Sequence, residues 1–580
     1  MSYRYFALID DVRSEENIAQ GLRVILSDLG MQERGNVGPL RLFSTNETPV
    51  LPVSGGGFLI GHLFRREDGS PAPHGGQDPV GLSPTHARKR ILDSCWGDYV
   101  LMQPIEDDAR GFTVMRDPSG GLPSIYSVRG RTGFITSDIS LATAAGLYTK
   151  RIDWDFVSSC LVYPQQKTGR TALADVHELL PGCCLSVHGA RVTTAPMWSP
   201  WNYVTTDNRR IDPAEARVDI RRNISLVVKA LAETDRTVLL QLSGGLDSSI
   251  VGICLRDARA SVKCGTMVTP VPGADERQYA SLIAEALDTE LHTTELRFED
   301  ARFDFVPPAH LASPSIMALQ YAIDAALDAL GNRLGVTSYF SGAGGDSVFC
   351  YLKTAAPAAD AFRERGFALG HSSVHDLAQL HQCTLWKAGR LTLRKLLRTP
   401  SPPRKPDHTF IVPSRIAHGL GTHPWFDAPT DALPGDRERV FDLACSHAFR
   451  DGSPRGVRRR MRMPLLSQPV MEACLKAPSW MWFDGGRNRA LARSAFAELL
   501  PQEILDRGSK GTFVNYTAAI YRRNVKPLRD FLLTGHLQSR GLINADVLKL
   551  FFQTELRPRD QSFMRIFDLA MIENWVRHQP

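Results

Sequence analysis

One stretch, residues 237–249 (TVLLQLSGGLDSS), constrains the fold of this chain more than any other. It begins with a short apolar run, typical of a strand that a parallel sheet buries on both faces: Val238, Leu239, Leu240 and Leu242. Gly244 and Gly245 follow, and without a Cβ they let the backbone turn sharply and approach a ligand closely. The segment that comes next opens with Asp247, Ser248 and Ser249. We therefore predict a strand, a tight loop and a helix whose N-terminus faces an anion.

The end of this stretch resembles the pyrophosphate loop of the N-type ATP pyrophosphatases, which cleave ATP to AMP and pyrophosphate. An ordinary strand-to-helix turn with a capping Asp is the alternative for a shorter match, but seven consecutive residues fit the loop. The resemblance implies that ATP is bound by Ser243, Gly244, Gly245, Leu246, Asp247, Ser248 and Ser249.

A second acidic stretch, residues 338–349 (SYFSGAGGDSVF), has four small residues in front of Asp346. These let the carboxylate approach a phosphate-bound metal without steric obstruction. Mg²⁺ prefers a few protein oxygens together with phosphates and water. Either acid alone is more often a helix cap, but the pair predicts that Asp247 and Asp346 share Mg²⁺.

The surrounding pattern alternates between helices and strands. A helix is predicted after the cap Asp212, with one apolar face made of Val218, Ile224, Val227, Val228 and Leu231. Strands are predicted at 261–268 and 289–296, with a helix at 275–287 between them. This alternation predicts a doubly wound parallel α/β sheet, with its ligand beyond the carboxyl ends of the strands.

The first 205 residues are instead rich in short strands separated by turn residues. Segments 96–100, 116–126, 134–138 and 180–182 resemble the glutaminase-like domain of asparagine synthetases, an Ntn-type α+β sandwich. That resemblance implies a nucleophilic cysteine after the initiator methionine, but this chain has Ser2, and the strings that hold glutamine are not found. We therefore predict a degenerate glutamine amidotransferase-like domain over 1–205 and a synthetase domain over 206–580.

The two acidic stretches, with DERQYA at 275–280 between them, resemble the synthetase domain of the asparagine synthetase superfamily, an adenine nucleotide α-hydrolase-like fold. The resemblance implies that a carboxylate attacks the α-phosphate of ATP, and that an amine then attacks the acyl-adenylate. It implies a catalytic role for Asp346 and charge stabilisation by Lys510. It also implies that the nucleoside is held by backbone around Leu240, Gln241, Leu242, Val268 and Gly342.

The residue three positions before Asp346 narrows the choice within the superfamily. Asparagine synthetases have a glutamate there and β-lactam synthetases a catalytic tyrosine, whereas this chain has Ala343. Segments 464–475, 485–493 and 500–511 resemble the lasso-peptide macrolactam synthetases of proteobacteria. Those enzymes join the N-terminal amine of a core peptide to an Asp or Glu side chain. Because Ala343 is no base, the proton acceptor stays open between His310, the carboxylates and the substrate.

The predicted partners are a precursor (core) peptide and, in the same pathway, a leader peptidase and a leader-recognition protein. Two other functions stay open. One is an ammonia- or amine-dependent amide synthetase acting on a small carboxylic acid, of the asparagine or β-lactam synthetase type. The other is a non-catalytic peptide-binding scaffold. The peptide, its ring size and the oligomeric state do not follow from the sequence.

Composition limits the remaining classes of protein. A net charge of +6 and no known binding module predict no nucleic-acid partner. The ten cysteines include no C-x-x-C pair, which predicts that they are reduced core residues of a cytoplasmic protein. No apolar run is long enough to span a membrane, so we predict no membrane span. The default interpretation of two basic segments, 386–398 and 450–462, is that they form solvated surfaces. Our hypothesis is that part of this basic surface, notably Arg458 to Arg460, contacts the precursor peptide or a partner subunit.

Overall fold

The computed structural model describes residues 3–9, 16–72, 82–130, 132–164, 166–273, 275–398, 406–417, 419, 421–450, 453–508, 513–557 and 560–580. None of the helices in these ranges has both the length and the apolar character that crossing a membrane requires.

The N-terminal region consists of two six-stranded antiparallel sheets packed face to face. Its strands are β1 Tyr5–Ile9, β2 Gln32–Val37, β3 Leu40–Ser44, β4 Val50–Pro52, β5 Phe58–Arg65, β6 Cys95–Ile105, β7 Asp108–Arg116, β8 Ile125–Arg129, β9 Thr132–Thr136, β10 His177–Glu178, β11 Cys183–His188 and β12 Arg191–Pro196. The strand orders are β10-β8-β9-β1-β3-β2 and β12-β11-β7-β6-β5-β4. Side chains such as Tyr5, Ala7, Ile60 and Val114 fill the space between the sheets.

Helices cover the outer faces of this sandwich. They are α1 Glu16–Asp28, α2 Pro84–Ser94, α3 Ile139–Ala144 and α4 Trp154–Val162. Ile91 and Leu92 of α2 pack on the β5–β7 side, while Phe156 of α4 packs on the β1–β9 side. The predicted α+β sandwich is confirmed.

The C-terminal region is built on a five-stranded parallel sheet. Its strands are β13 Thr237–Gln241, β14 Ser261–Val268, β15 Leu291–Glu295, β16 Ser338–Ser341 and β17 Arg460–Arg462, in the order β15-β14-β13-β16-β17. A hairpin pairs β18 Phe483–Asp484 with β19 Arg487–Asn488. Strand β13 is central, and it pairs in parallel with β14 and β16.

Helices lie on both faces of the parallel sheet, as a doubly wound fold requires. The helices of this region are α5 Pro213–Ala232, α6 Leu246–Leu255, α7 Arg277–Ala286, α8 Ala318–Arg333, α9 Gly345–Val348, α10 Ala356–Arg365, α11 Phe367–Leu380, α12 Leu385–Leu397, α13 Pro434–Ser446, α14 Gln468–Lys476, α15 Ala490–Ala495, α16 Gln502–Asp506, α17 Val514–Arg523, α18 Val525–Leu533, α19 His536–Ser539, α20 Ala545–Gln553 and α21 Met564–Arg577. Leu240 faces the core shared with α5, α6 and α7, and Leu239 faces α8. The predicted parallel α/β architecture is confirmed.

Helix α5 shows where the sequence pattern succeeds and where it fails. Asp212 caps it by accepting a hydrogen bond from the Ala214 N–H at 2.8 Å, as predicted. The prediction that Val218 belongs to the apolar face is wrong, because its side chain is 69% exposed. Ile220 is buried instead, since it lies four residues before Ile224 and two residues, or about 200°, from Val218.

All ten cysteines are free; eight are buried and two are half-buried. This agrees with the prediction that they are reduced residues of the interior.

Buried ion pairs join the two regions. Arg462 of β17 donates to Asp98 of β6 at 2.8 Å and also contacts Asp235. Arg460 pairs with Asp235 and donates to the hydroxyl of Tyr3. Arg460 and Arg462 therefore face the interior, whereas the side chain of Arg458 is 69% exposed, and contact of this segment with a precursor peptide or a partner subunit stays a prediction.

Candidate active site

The loop after β13 has one position that requires glycine. Gly244 has a φ of +61°, and a Cβ there would lie 2.7 Å from Tyr279 Cβ and 3.0 Å from the Glu276 carbonyl oxygen. Gly245 has a φ of −81°, which any residue adopts. The sharp turn predicted for both glycines is thus carried by Gly244 alone.

Hydrogen bonds made by its own serines stabilise the loop. The Ser243 N–H donates to Ser248 Oγ at 3.3 Å, and that hydroxyl donates to the Gly245 carbonyl at 3.2 Å. The N-cap residue of helix α6 is Gly245, which has no side chain to cap the helix. An uncapped N-terminus beside a narrow loop suits a phosphate.

Arg507 anchors the loop, and the sequence did not predict it. Its guanidinium donates to the Gly244 carbonyl at 2.7 Å, pairs with the buried Glu276 and lies 4.1 Å from the ring of Tyr279. Glu276 and Tyr279 belong to the DERQYA string, so that string positions the loop through an arginine from the 500–511 segment. Both segments were visible in the sequence, but their contact was not.

The second acidic stretch approaches the first at its glycines. A Cβ on Gly342 would lie 2.5 Å from the Ser248 nitrogen, and one on Gly345 would lie 2.4 Å from Asp247 Cγ. Gly344 has a φ of +87° and precedes α9, whose first turn carries Asp346. The small residues before Asp346 thus let two loops touch, at the carboxyl ends of the adjacent strands β13 and β16.

Both predicted metal-binding acids contact one cation, Arg489. Its Nη1 atom lies 3.0 Å from Asp247 Oδ1 and 3.0 Å from Asp346 Oδ1. The Asp247 side chain is 9% exposed, whereas that of Asp346 is 48% exposed. The fold therefore brings the two acids together, with one buried and the other facing solvent. Arg489 was missed as a site residue, although it lies in the 485–493 string.

The backbone around Arg489 and its packing fix its position. Its φ is +54°, and its guanidinium lies 5.1 Å from the ring of Tyr351. Arg493, one turn further, donates to the Leu505 and Arg507 carbonyls at 2.5 and 3.0 Å. Burial and the charges of Arg489 and Arg487 lower the pKa of Arg493 to about 10. Several arginines therefore lie at this edge of the sheet, where Arg489, Arg507 and Arg487 are each paired with an acid.

The donor set fits Mg²⁺ bound together with ATP. Mg²⁺ needs only one or two protein carboxylates when phosphates and waters complete its shell. Within the described ranges, no group of three or more His, Cys, Asp or Glu residues forms a self-sufficient metal site. For one cation to bridge both acids, the Arg489 guanidinium has to move from between them.

The predicted nucleoside residues lie near the ends of three neighbouring strands. Leu240 and Leu242 are buried, and the Leu242 N–H donates to the Gly265 carbonyl at 2.8 Å. The Val268 carbonyl accepts from the Leu296 N–H at 2.9 Å. Gln241 Oε1 accepts from the buried Arg455 at 2.7 Å, a contact that the sequence did not reveal. Lys510 and Ser2 lie outside the described residues.

The candidate bases differ in their surroundings. Ala343 is half-buried against the main core, and its methyl group accepts no proton. His310 lines two cavities between the regions, together with Pro123 and Ser137. Neither of those linings includes Asp247 or Asp346.

Sequence comparison now identifies the family. The asparagine synthase family model matches residues 219–577, which is more than half of the chain and includes both acids and Arg489. The chain belongs to the asparagine synthase family. Members of this family are ATP-dependent, amide-forming ligases, and Mg²⁺ is their usual metal. A search of the curated proteins finds no match.

Two solved structures show a distant likeness to this asparagine synthase family chain. One is a glutamine phosphoribosylpyrophosphate amidotransferase from B. subtilis complexed with ADP and GMP, with 11% identity, 50% of this chain and 81% of that chain covered, and a TM-score of 0.22. The other is an allosteric regulatory enzyme of purine biosynthesis, with 10% identity, 51% and 74% covered, and a TM-score of 0.20. Values this low say nothing about activity.

Proposed function

We propose that this protein is a macrolactam synthetase of the lasso-peptide type. It activates an Asp or Glu side-chain carboxylate of a ribosomal precursor peptide with ATP and joins it to the N-terminal amine of the same peptide, releasing AMP and pyrophosphate. The observation that carries the ligase part of the proposal is the meeting of Asp247 and Asp346 at a single Arg489 nitrogen.

Different residues of the site would bind the phosphates and the metal ion of ATP. Residues 243–249 receive the phosphates at the uncapped N-terminus of α6, which Arg507 holds in place through Gly244. Asp247 and Asp346 would hold Mg²⁺, which when bound offsets the negative charge of the phosphates and of the leaving pyrophosphate. Arg489 offsets the repulsion between the two carboxylates, and so keeps them together before the ligand arrives.

Amide formation requires charge stabilisation and a proton acceptor. We assign the first role to Lys510, by resemblance to the superfamily. The proton acceptor stays open between His310, a carboxylate and the substrate, because Ala343 replaces the residue that relatives have there.

The choice of a peptide amine over ammonia rests on the N-terminal region. Ser2 replaces the nucleophilic cysteine of glutamine-using relatives, so this chain has no evident source of ammonia. A substrate that carries its own amine, as a peptide that closes on itself does, needs no glutamine hydrolysis. A leader peptidase and a leader-recognition protein are the partners that free such an amine.

The test combines two measurements on the whole chain. The protein is incubated with ATP, Mg²⁺, a companion protease and candidate precursor peptides, and mass spectrometry looks for loss of one water from the core peptide. Pyrophosphate release is followed in parallel. Pyrophosphate with an unchanged peptide, but with a consumed small acid, would favour the small-molecule amide synthetase. Absence of pyrophosphate with every acid and peptide offered would favour the non-catalytic scaffold.

A further inference from the structure

Helix α12 is fixed to the protein body along one face. Ala388 and Thr392 are buried there, against a small core formed with α10, α11 and β18. Arg363 at the end of α10 donates to the Leu396 carbonyl at 3.0 Å, and Lys395 pairs with Glu438. The helix therefore has a defined orientation, with its remaining faces turned to solvent.

One of those remaining faces is apolar. Trp386 is 82% exposed, Leu397 is 76% exposed, and Leu393 also lies more than half in solvent. These three residues are separated by seven and four positions, which places them within about 40° of one another around the helix axis. The result is one straight stripe of large apolar side chains along the outside of a 13-residue helix. A single exposed leucine is common on protein surfaces, but an aligned set of large apolar side chains on a fixed helix indicates an interaction surface.

The neighbouring face is entirely cationic. It carries Lys387, Arg390, Arg394 and Arg398, all of them exposed. The helix sequence, LWKAGRLTLRKLL, contains no acidic and no amide residue, and its single hydroxyl, on Thr392, is buried. The junction of α10 and α11, held to the end of α12 by Arg363, adds exposed Arg365 and Phe367.

We propose that α12 is a docking face for an anionic lipid bilayer. Trp and Leu side chains beside a row of Lys and Arg are the combination that lies in the plane of a membrane interface. The long cationic side chains reach lipid phosphates while their stems cover the apolar stripe. The cylinder of α12 presents two adjacent exposed faces rather than a groove, and apart from the indole N–H of Trp386 those faces carry no neutral hydrogen-bonding side chain. This inference is independent of the proposed ligase activity.

The test measures binding of the full chain to vesicles by co-sedimentation. Vesicles of phosphatidylcholine with phosphatidylglycerol are compared with vesicles of phosphatidylcholine alone. We expect binding to the anionic vesicles only, weakened by salt. The variants Leu393→Ser/Leu397→Ser and Arg390→Glu/Arg394→Glu should each lower partitioning by about tenfold or more. Trp386 should shift its fluorescence to shorter wavelength on binding, a change that Trp386→Phe removes.

Matched controls lie elsewhere on the surface. Val547→Ser/Leu550→Ser removes two exposed apolar side chains from α20, and Arg217→Glu/Arg221→Glu reverses two charges four residues apart on α5. Neither should change partitioning by more than about twofold. No binding to anionic vesicles, or equal loss in the controls, would overturn the proposal. So would α12 variants that bind vesicles normally but lose affinity for the precursor peptide or another protein.

Discussion

The two regions of this protein treat their buried carboxylates in opposite ways. In the C-terminal region, Asp247 and Asp346 meet beside an uncapped helix, and half of the Asp346 side chain faces solvent. In the N-terminal region, Asp98 and Asp117 are both buried, and Arg450 and Arg462 close over Asp98. Burial and the nearby Asp98 raise the pKa of Asp117 to about 7. We propose that the reachable carboxylate serves a ligand, whereas Asp98, enclosed by two arginines, joins the two regions.

The largest effect expected is on activity, from Asp346→Asn. The change removes a negative charge that the proposed Mg²⁺ site needs, so ATP-dependent pyrophosphate release should fall by about 10³-fold. Because Asp346 is half exposed, the free energy of unfolding should change little. Asp530→Asn, an exposed acid on α18, is the control and should leave the rate unchanged. A rate within tenfold of wild type would remove Asp346 from the site.

Arg462→Met tests the opposite role of the N-terminal carboxylates. It leaves the buried Asp98 with only the longer Arg450 contact at 3.6 Å, and Asp235 with Arg460 alone, which should lower the free energy of unfolding by about 3 kcal/mol. Arg458→Met, at an exposed ion pair nearby, should cost less than about 1 kcal/mol. Denaturant unfolding measures both. Activity per folded molecule should persist, and its loss would show that this interface does more than hold the regions.

Gly345→Ala sharpens the steric side of the comparison. Its new Cβ would lie 2.4 Å from Asp247 Cγ, so the two acids must move apart, and the rate should fall by about 100-fold. Gly21→Ala is the matched control in the N-terminal region, since a Cβ there meets nothing within 4 Å. It should leave activity intact and raise helix stability by up to about 1 kcal/mol. Equal rates in the two variants would contradict a close approach of the loops.

The boundary between the regions should be sensitive to acid through His423. Burial and the charge of Lys167 lower its pKa to about 3. A lowered folded-state pKa gives stability that is present above the unfolded value near 6.5 and is lost as the pH falls. At pH 5 the loss should be about 2 kcal/mol.

The comparison uses His423→Asn. In the wild type, His423 Nδ1 accepts a hydrogen bond from the backbone N–H of Trp425 at 3.1 Å, and the asparagine side chain keeps an acceptor for it. Unfolding is measured at pH 8 and pH 5, and the wild type should lose about 2 kcal/mol more than the variant between these values. The same pH dependence in both proteins would show that His423 is not the group responsible.

The smallest effect expected is from Ser2→Ala. If the N-terminal region has lost glutaminase chemistry, the variant should form the peptide amide at the wild-type rate, and glutamine should not substitute for the substrate amine. Ser2→Thr serves as the control that keeps a hydroxyl. Glutamine hydrolysis that Ser2→Ala abolishes would restore a catalytic role to this region.

Local spacing explains most of what could be predicted. The strand, loop and helix around residues 237–255 follow from a short apolar run, two adjacent glycines and an apolar helical segment, which are close together in the chain. The parallel sheet follows from the alternation of strands and helices, as the strand at Ser261–Val268 shows. Val218 marks the limit of this reasoning, because a one-sided pattern does not reveal which residues meet a neighbour.

By itself, the sequence determined that two acids follow two strands of a parallel sheet, since each motif is continuous along the chain. Only the tertiary structure decided that Arg489 lies between Asp247 and Asp346, and that Arg507 holds Gly244. Those arginines come from more than 140 residues further along the chain than Asp346 or Gly244. Which distant cation meets which carboxylate depends on packing, and no spacing within a motif encodes it.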